Sequence, residues 1–433
     1  MRRVLIFIWL ASWLFPPIIL AAKLDAALAE QGITLDSLIR AQAFYSRSSI
    51  SDTSFNPGNQ LARLNDAEFI FELRPDFSLS YQNLEFMLKP RFQYAWEQID
   101  TTSGHFDQDE SSAYINEWRM RLGLRNQFFL SYGREVLLWG PAMLLSPSNP
   151  FFVDNGRSNP YRELGGRDYL QATYLANPNW TFSLISNTAQ GRGEDLGLSE
   201  FDRTDAVKVD YVGQSGYGSL IFSHQRDGLS KMGGFFQLTL SDALLVYAEG
   251  GYSQGTPAFY PYRTPTPPGW SFVTDQRDDN KLFGISLVGL AYTFEAGPTL
   301  NVEFIYNNAG YSDQEARDYF AMAEQLGSGF AGSGLAAAAP LLAQAANPRL
   351  PLLRRNYLFV QLLNTNIRNQ LDVTLRYTRN LDDDSGNFVS VFDWAVNDFT
   401  HLFALGLVNH GDERSEFRRY LDNQWLIGIN LTF

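Results

Sequence analysis

The chain has 433 residues and a formal net charge of −13, with 34 basic against 47 acidic side chains, so a nucleic-acid partner, which needs a basic footprint, is excluded. It has no cysteine, which removes disulfides, thiolate metal sites and a cysteine nucleophile. Aromatic residues make up 15% and charged residues only 19%; against roughly 25% charged in soluble domains, this suits a β protein whose two faces meet two different solvents.

In chain order the first predicted element is an address. Met1-Arg2-Arg3 is a positive n-region, Val4 to Leu20 is apolar and interrupted by Pro16-Pro17, and Ala21-Ala22 offers small residues for cleavage. The pattern predicts a secretory signal peptide over residues 1–22, or as far as 29 if the cut follows Ala27-Leu28-Ala29. An N-terminal anchor is the alternative, but two prolines would break it and the run is short. No later stretch has 18 consecutive apolar residues, so no spanning helix is expected in residues 23–433.

Strict alternation follows. Phe69, Phe71, Leu73, Pro75, Phe77, Leu79 and Tyr81 share one face, and Glu68, Ile70, Glu72, Arg74, Asp76, Ser78 and Ser80 the other. The next run sets Leu84, Phe86, Leu88, Pro90, Phe92, Tyr94 and Trp96 against Glu85, Met87, Lys89, Arg91, Gln93, Ala95 and Glu97. Successive strand side chains point to opposite sides, so each run is a strand with one apolar face. A soluble sandwich also alternates, and length separates the two. These runs hold 12 to 16 residues, whereas ordinary strands hold about 5–6 and a tilted bilayer-crossing strand needs roughly 9–11.

Eighteen such runs are predicted, starting near Thr34, Asn65, Leu84, Ser111, Gln127, Arg167, Trp180, Thr204, Tyr217, Lys231, Leu244, Lys281, Thr299, Arg355, Leu371, Gly386, His401 and Gln424. Short links such as Gln82-Asn83, Asn126-Gln127 and Asn397-Asp398 alternate with mostly long polar ones. The fold class read from this is all-β: a closed transmembrane antiparallel barrel with short periplasmic turns, long extracellular loops and both termini periplasmic.

The last strand runs Trp425, Ile427, Ile429, Leu431 and Phe433 on one face. A final strand closing on a C-terminal Phe resembles the signal read by the barrel-assembly machinery of bacterial outer membranes. By overall plan the chain resembles a Gram-negative porin-type barrel, including the 18-stranded substrate-selective and alginate-export channels. The resemblance implies residence in the outer membrane among lipid and lipopolysaccharide. Trimeric porins usually have 16 strands, which favours a monomer here. Locally, Gly133-Arg134-Glu135, Trp139-Gly140-Pro141 and Ser146-Pro147-Ser148-Asn149-Pro150-Phe151 are similar to segments of capsule-assembly surface barrels and other porin-like families.

The inner faces carry the candidate site. Strand four alternates Tyr114, Asn116, Trp118, Met120, Leu122 and Leu124 against Ile115, Glu117, Arg119, Arg121, Gly123 and Arg125. With Glu68, Glu72, Arg74, Asp76, Glu85, Lys89, Arg91 and Glu97 this makes one arc of six basic and six acidic groups, read either as a track guiding a polar solute or as a wall of ion pairs. Asp372 and Arg376 add milder polarity elsewhere. Arg134 breaks the alternation, so a bulge near Gly133 that turns it inward, or a place above the membrane, is expected. Infolding of the loop from Gly140 to Gly166 would bring Asn149, Arg157 and Arg162 near the solute path. Gly255 to Asn280 is aromatic-rich and reads as an external lid or a sugar-stacking surface. Asp313 to Leu353 holds two helix-forming stretches and reads as a cap or plug.

Enzyme signals are poor. His105, His224, His401 and His410 belong to no spaced motif. Asp107-Gln108-Asp109-Glu110 and Asp382-Asp383-Asp384 lack calcium-loop spacing and read as solvated or lipopolysaccharide-facing loops. No cofactor or metal is expected. The function expected is a channel for a polar, anionic or sugar-like solute or an exopolysaccharide, with a plugged polysaccharide-binding barrel and an outer-membrane hydrolase as alternatives.

Overall fold

The computed structural model describes residues 31–157, 159–192, 201–226, 228–274, 281–330 and 335–433; the predicted signal peptide lies outside them. An antiparallel sheet of 18 strands closes on itself. Its strands are β1 (Ile33–Ile50), β2 (Ala67–Tyr81), β3 (Leu84–Thr101), β4 (Gly104–Leu124), β5 (Phe128–Glu135), β6 (Arg167–Leu175), β7 (Trp180–Ala189), β8 (Thr204–Val212), β9 (Gly216–Gln225), β10 (Ser230–Thr239) and β11 (Leu244–Gln254). After an external hairpin, β12 (Phe259–Arg263) and β13 (Trp270–Thr274), the wall continues with β14 (Leu282–Thr293), β15 (Thr299–Asn307), β16 (Asn356–Ile367), β17 (Leu371–Asn380), β18 (Gly386–Asn397), β19 (Thr400–His410) and β20 (Leu421–Thr432). Strand β1 pairs with β20 from Arg40↔Thr432 upward. Ile39 and the terminal Phe433 exchange backbone hydrogen bonds of 3.1 and 2.8 Å. Closure pairs every wall strand on both sides within the barrel, while β4 above Trp118 extends past β5 and pairs with β3 alone.

The outward-facing half of the alternation is apolar and uncovered. Leu130, Leu170, Leu184, Val207, Leu220, Phe222, Met232 and Val288 are all exposed on it. Tyr81, Phe128, Tyr174, Trp180, Tyr211, Tyr292, Trp394 and Phe399 ring the short-turn end, and Tyr132, Tyr306, Phe388 and Trp425 the other. A belt of aliphatic side chains between two aromatic girdles fits a lipid solvent rather than water.

One strand departs from the expected faces. Between β3 and β4, Lys89 pairs with Glu117 but Pro90 pairs with Ile115, so Asn116 is the extra residue of a β-bulge. Below the bulge the alternation is as expected. Above it the faces swap: Ile115 is exposed outside, and Tyr114 turns inward with Arg91 opposite it.

The long-loop end carries a packed cap. Helix α1 (Asp313–Phe330) and helix α2 (Leu335–Ala346) bury Tyr319, Phe320, Met322, Ala323, Leu326 and Leu342 against Phe55 of the β1–β2 loop and Trp270 of β13. A capping box starts α1: Ser312 N and Oγ each donate to Glu315 at 2.7 Å. The expected helices are therefore present as a cap. Most aromatics of the Gly255–Asn280 loop go into it: Trp270 is buried and donates to Gln325 at 2.8 Å, and Arg349 covers the Phe259 ring at 4.5 Å, while Tyr262 stays exposed. They behave as a lid, not as an open stacking surface.

Candidate functional site

The loop after β5 folds into the barrel and packs along the inner wall. Phe151 and Phe152 bury against Tyr169, Ile185, Ala206, Ile221 and Phe235 of β6 to β10. Ala142 and Leu145 bury against Tyr247, Ile285, Leu287, Ile305 and Phe359 of β11 to β16. Tyr161 packs with Val389, Val391, Phe403, Leu405 and Leu426 and stacks on Phe403 with ring centroids 3.8 Å apart. These inner faces are apolar because the loop, not water, covers them.

Buried polar groups satisfy the loop backbone. Glu249 of β11 accepts from Ser146 Oγ (2.6 Å), Ser148 Oγ (2.7 Å), Ser148 N (3.2 Å) and Ala142 N (3.4 Å). Glu303 of β15 accepts from Met143 N (2.5 Å), Leu144 N (3.2 Å) and Tyr247 Oη (2.8 Å). A carboxylate this enclosed persists only with its lone pairs filled.

The arc from β1 to β5 is the opposite. Its inner face is an ion-pair ladder. Arg91, 2% exposed, grips Glu163 of the loop through Nε and Nη2, both at 2.7 Å, and Asp76 at 2.9 Å. Arg40 reaches Asp76 at 2.8 Å. Arg74 pairs with Glu72 and donates to the Tyr161 carbonyl at 3.0 Å. Towards the turn end, Lys89 pairs with Glu117 (2.7 Å), Arg119 with Glu135 (3.0 Å) and Arg121 with Glu85 (3.3 Å).

The structure thus gathers Glu72, Arg74, Asp76, Glu85, Lys89, Arg91, Glu117, Arg119 and Arg121 along one arc. Others fall elsewhere. Arg125 is exposed in the β4–β5 turn, with a positive φ of 54°. Arg134 stays on the outer face, in register with Trp118 and Asp168; no bulge forms at Gly133. Its charge is met by Asp168 at 2.7 Å near the long-loop rim, and the nearby register shift lies instead between β6 and β7, at Asp168 and Tyr169. Asn149 is fully buried, donating to Leu137 O at 2.8 Å and accepting from Phe151 N and Phe152 N, so it shapes the loop and does not face a solute. Arg162 pairs with Asp154. Asp372 accepts from Asn366 N at 2.6 Å beside a turn. Arg157 and Arg376 meet: Arg376 donates to the Arg157 carbonyl and to Gln361 Oε1 at 2.6 Å.

One other expectation changes. Asp382 and Asp383 are not merely solvated: Asp382 accepts from Arg355 N (2.8 Å) and Asn356 N (2.9 Å), and Asp383 from Glu416 N (3.0 Å). His224 lies 3.0 Å from Ser230 on the outer face, and His410 lies 2.8 Å from Tyr377. Glu249 and Glu303 stand outside the candidate residues that the sequence points to. Their one sequence signal is an acid at an inward position of an apolar strand.

No protein-family model matches the sequence, and no curated protein matches it. Solved structures do match in shape. OccK7 (OpdD) of Pseudomonas aeruginosa aligns with a TM-score of 0.54 at 9% identity, over 92% of this chain and 98% of that one. OccK11 (OpdR) of the same species gives 0.52 at 10%, over 92% and 96%. Acinetobacter baumannii OccAB1 gives 0.50 at 12%, over 93% and 96%. The closed 18-stranded antiparallel barrel is thus a fold of the Gram-negative outer-membrane porin type.

Proposed function

We propose that the protein is an integral outer-membrane channel passing a small polar, anionic solute, with its termini in the periplasm. The outward apolar belt supports the membrane placement. The lumen supports the solute class through one observation. Most lumen cations described above are ion-paired to a carboxylate, whereas Arg157 and Arg376 lie together with only carbonyl, amide and thioether partners among the described residues. Neither guanidinium has a carboxylate within ion-pair distance among the described residues, and each favours an anion beside it.

Infolding of residues 136–166 and the cap favour a small solute over an exported polymer, so the alginate-export reading is the weaker one. A plugged surface barrel is the second reading, and the cap cluster is its support. Chemistry has no part in either reading.

Reversal potentials under a salt gradient, recorded in planar bilayers, test the proposal. The wild-type channel should prefer chloride over potassium, and Arg157→Gln with Arg376→Gln should remove the preference. Absence of conductance in every condition favours the plugged barrel. An unchanged preference in the double variant refutes the arginine site.

A further inference from the structure

The segment Trp139-Gly140-Pro141 and Ser146-Pro147-Ser148 meets a receiving surface built into the inner wall. On one side stand Glu249 and Glu303, 3% and 0% exposed, which together take the amides of residues 142, 143, 144 and 148 and two serine hydroxyls. On the other side the wall lacks side chains. A Cβ at Gly251 of β11 would lie 2.0 Å from Pro147 O, and one at Gly233 of β10 would lie 2.6 Å from Ser148 O. Gly140 itself has φ +87°, and a Cβ there would lie 2.3 Å from Glu249 Oε2. Glycine is required at Gly233 and Gly251 because the backbone of the loop touches the backbone of the wall, and at Gly140 by its positive φ beside the Glu249 carboxylate.

Such a fit costs much unless it fixes something. Two acids placed in an apolar wall lose their hydration, and only the loop amides and hydroxyls, with Tyr247, restore their hydrogen bonds. The other limb is held differently, through Tyr161 stacked on Phe403 and the Glu163 grip on Arg91. We infer that Glu249 and Glu303 are positioning residues that fasten the 140–148 limb to the wall, and so set the bore left between the loop and the charged arc. The inference rests on the channel reading for its effect on current, but the fastening itself does not.

The experiment uses the full-length protein, which has no native cysteine, so Leu145→Cys supplies a single thiol in the fastened limb. Leu145 is 5% exposed. A membrane-impermeant charged methanethiosulfonate reports its release, and planar-bilayer conductance reports the bore. Glu249→Ala with Glu303→Ala should raise the labelling rate about tenfold or more, as expected for local opening, and should raise single-channel conductance and its noise. Two other variants guard against a folding failure: Gly251→Val, which fills the cradle, and Ser146→Ala with Ser148→Ala, which removes donors from the loop side. Heat-dependent gel mobility confirms that each barrel has closed. A protected thiol and unchanged conductance in all three overturn the inference while a conducting wild type leaves the channel reading standing. A released thiol in a barrel whose wild type never conducts supports the fastening and removes the channel reading.

Discussion

The arc β1–β4 and the arc β6–β19 share one exterior but have different interiors. The first has strands of 15 to 21 residues and an inner face of alternating arginine, lysine and carboxylate. The second has wall strands of 9 to 12 residues and an inner face rich in Ile, Val, Phe and Tyr. The difference follows from what each interior face meets. The second is covered by residues 136–166, so apolar burial holds it. The first borders the space left over except where Tyr161 and Glu163 of the loop meet Arg74 and Arg91, so it stays polar and its charges are neutralised in ion pairs. A single infolded loop thereby divides the barrel into a supporting wall and a wall that a solute can meet.

The sharpest way to break this division is to unseat the loop from its apolar side. Phe151 packs edge-on against Trp139 and Tyr169 and is 4% exposed. Phe151→Ala should lower the unfolding free energy in a detergent–urea titration by about 3–5 kcal/mol, the usual loss for a buried Phe. A loss below about 1 kcal/mol would mean that the wall does not depend on the loop.

On the charged side the matching change is Arg91→Ala, which leaves Asp76 and Glu163 facing each other. Breaking an enclosed pair costs about 3–5 kcal/mol. Both carboxylates keep some solvent here, so the same titration should show about 2–3 kcal/mol. Arg91→Lys should recover only part, since an ammonium cannot reproduce the two-pronged grip on Glu163. Equal stability of the Lys variant and the native protein would show that charge alone suffices.

A smaller effect is expected outside. Arg134 is tolerated on the outer face because Asp168 neutralises it. Asp168→Asn leaves the cation alone beside the lipid rim and should cost about 1–2 kcal/mol, less than the midplane penalty. No measurable change would place the pair clear of the membrane.

What could be read from the sequence divides along the same line. Period-two alternation identifies every wall strand, because the apolar exterior is a local, repeated demand of the solvent. The β12–β13 hairpin and the early start of β4 at Gly104 escaped, since both lie beyond that demand. The bulge at Asn116 escaped too: one inserted residue swaps the faces of Tyr114 and Ile115 with no local sign of it. Arg125 continues the alternation by one step into a turn, where the period-two pattern still places it on the wall. Glu249 and Glu303 were unreadable for another reason. An inward acid looks the same whether it faces water or receives the amides of a loop 101 to 160 residues away.

The cap offers the mildest test, through pH. Glu416 in the β19–β20 loop accepts from Leu353 N (2.8 Å), Asn380 Nδ2 (2.8 Å) and Tyr357 Oη (2.5 Å), and burial lifts its carboxyl above the ordinary 4.5, with Arg419 opposing the lift. For an acid whose folded value is raised, the folded state holds the proton more tightly than the unfolded one. Its contribution to stability is therefore fully present below about 4.5 and is withdrawn as pH rises through the folded value. Hydrogen exchange along α1 should then show the cap better protected at pH 4 than at pH 7. Glu416→Gln, neutral throughout, should remove that increment and leave only the slope due to other groups. An identical pH slope in the variant would show that the carboxyl is already ionised and held by Arg419, and that the cap is fastened by charge.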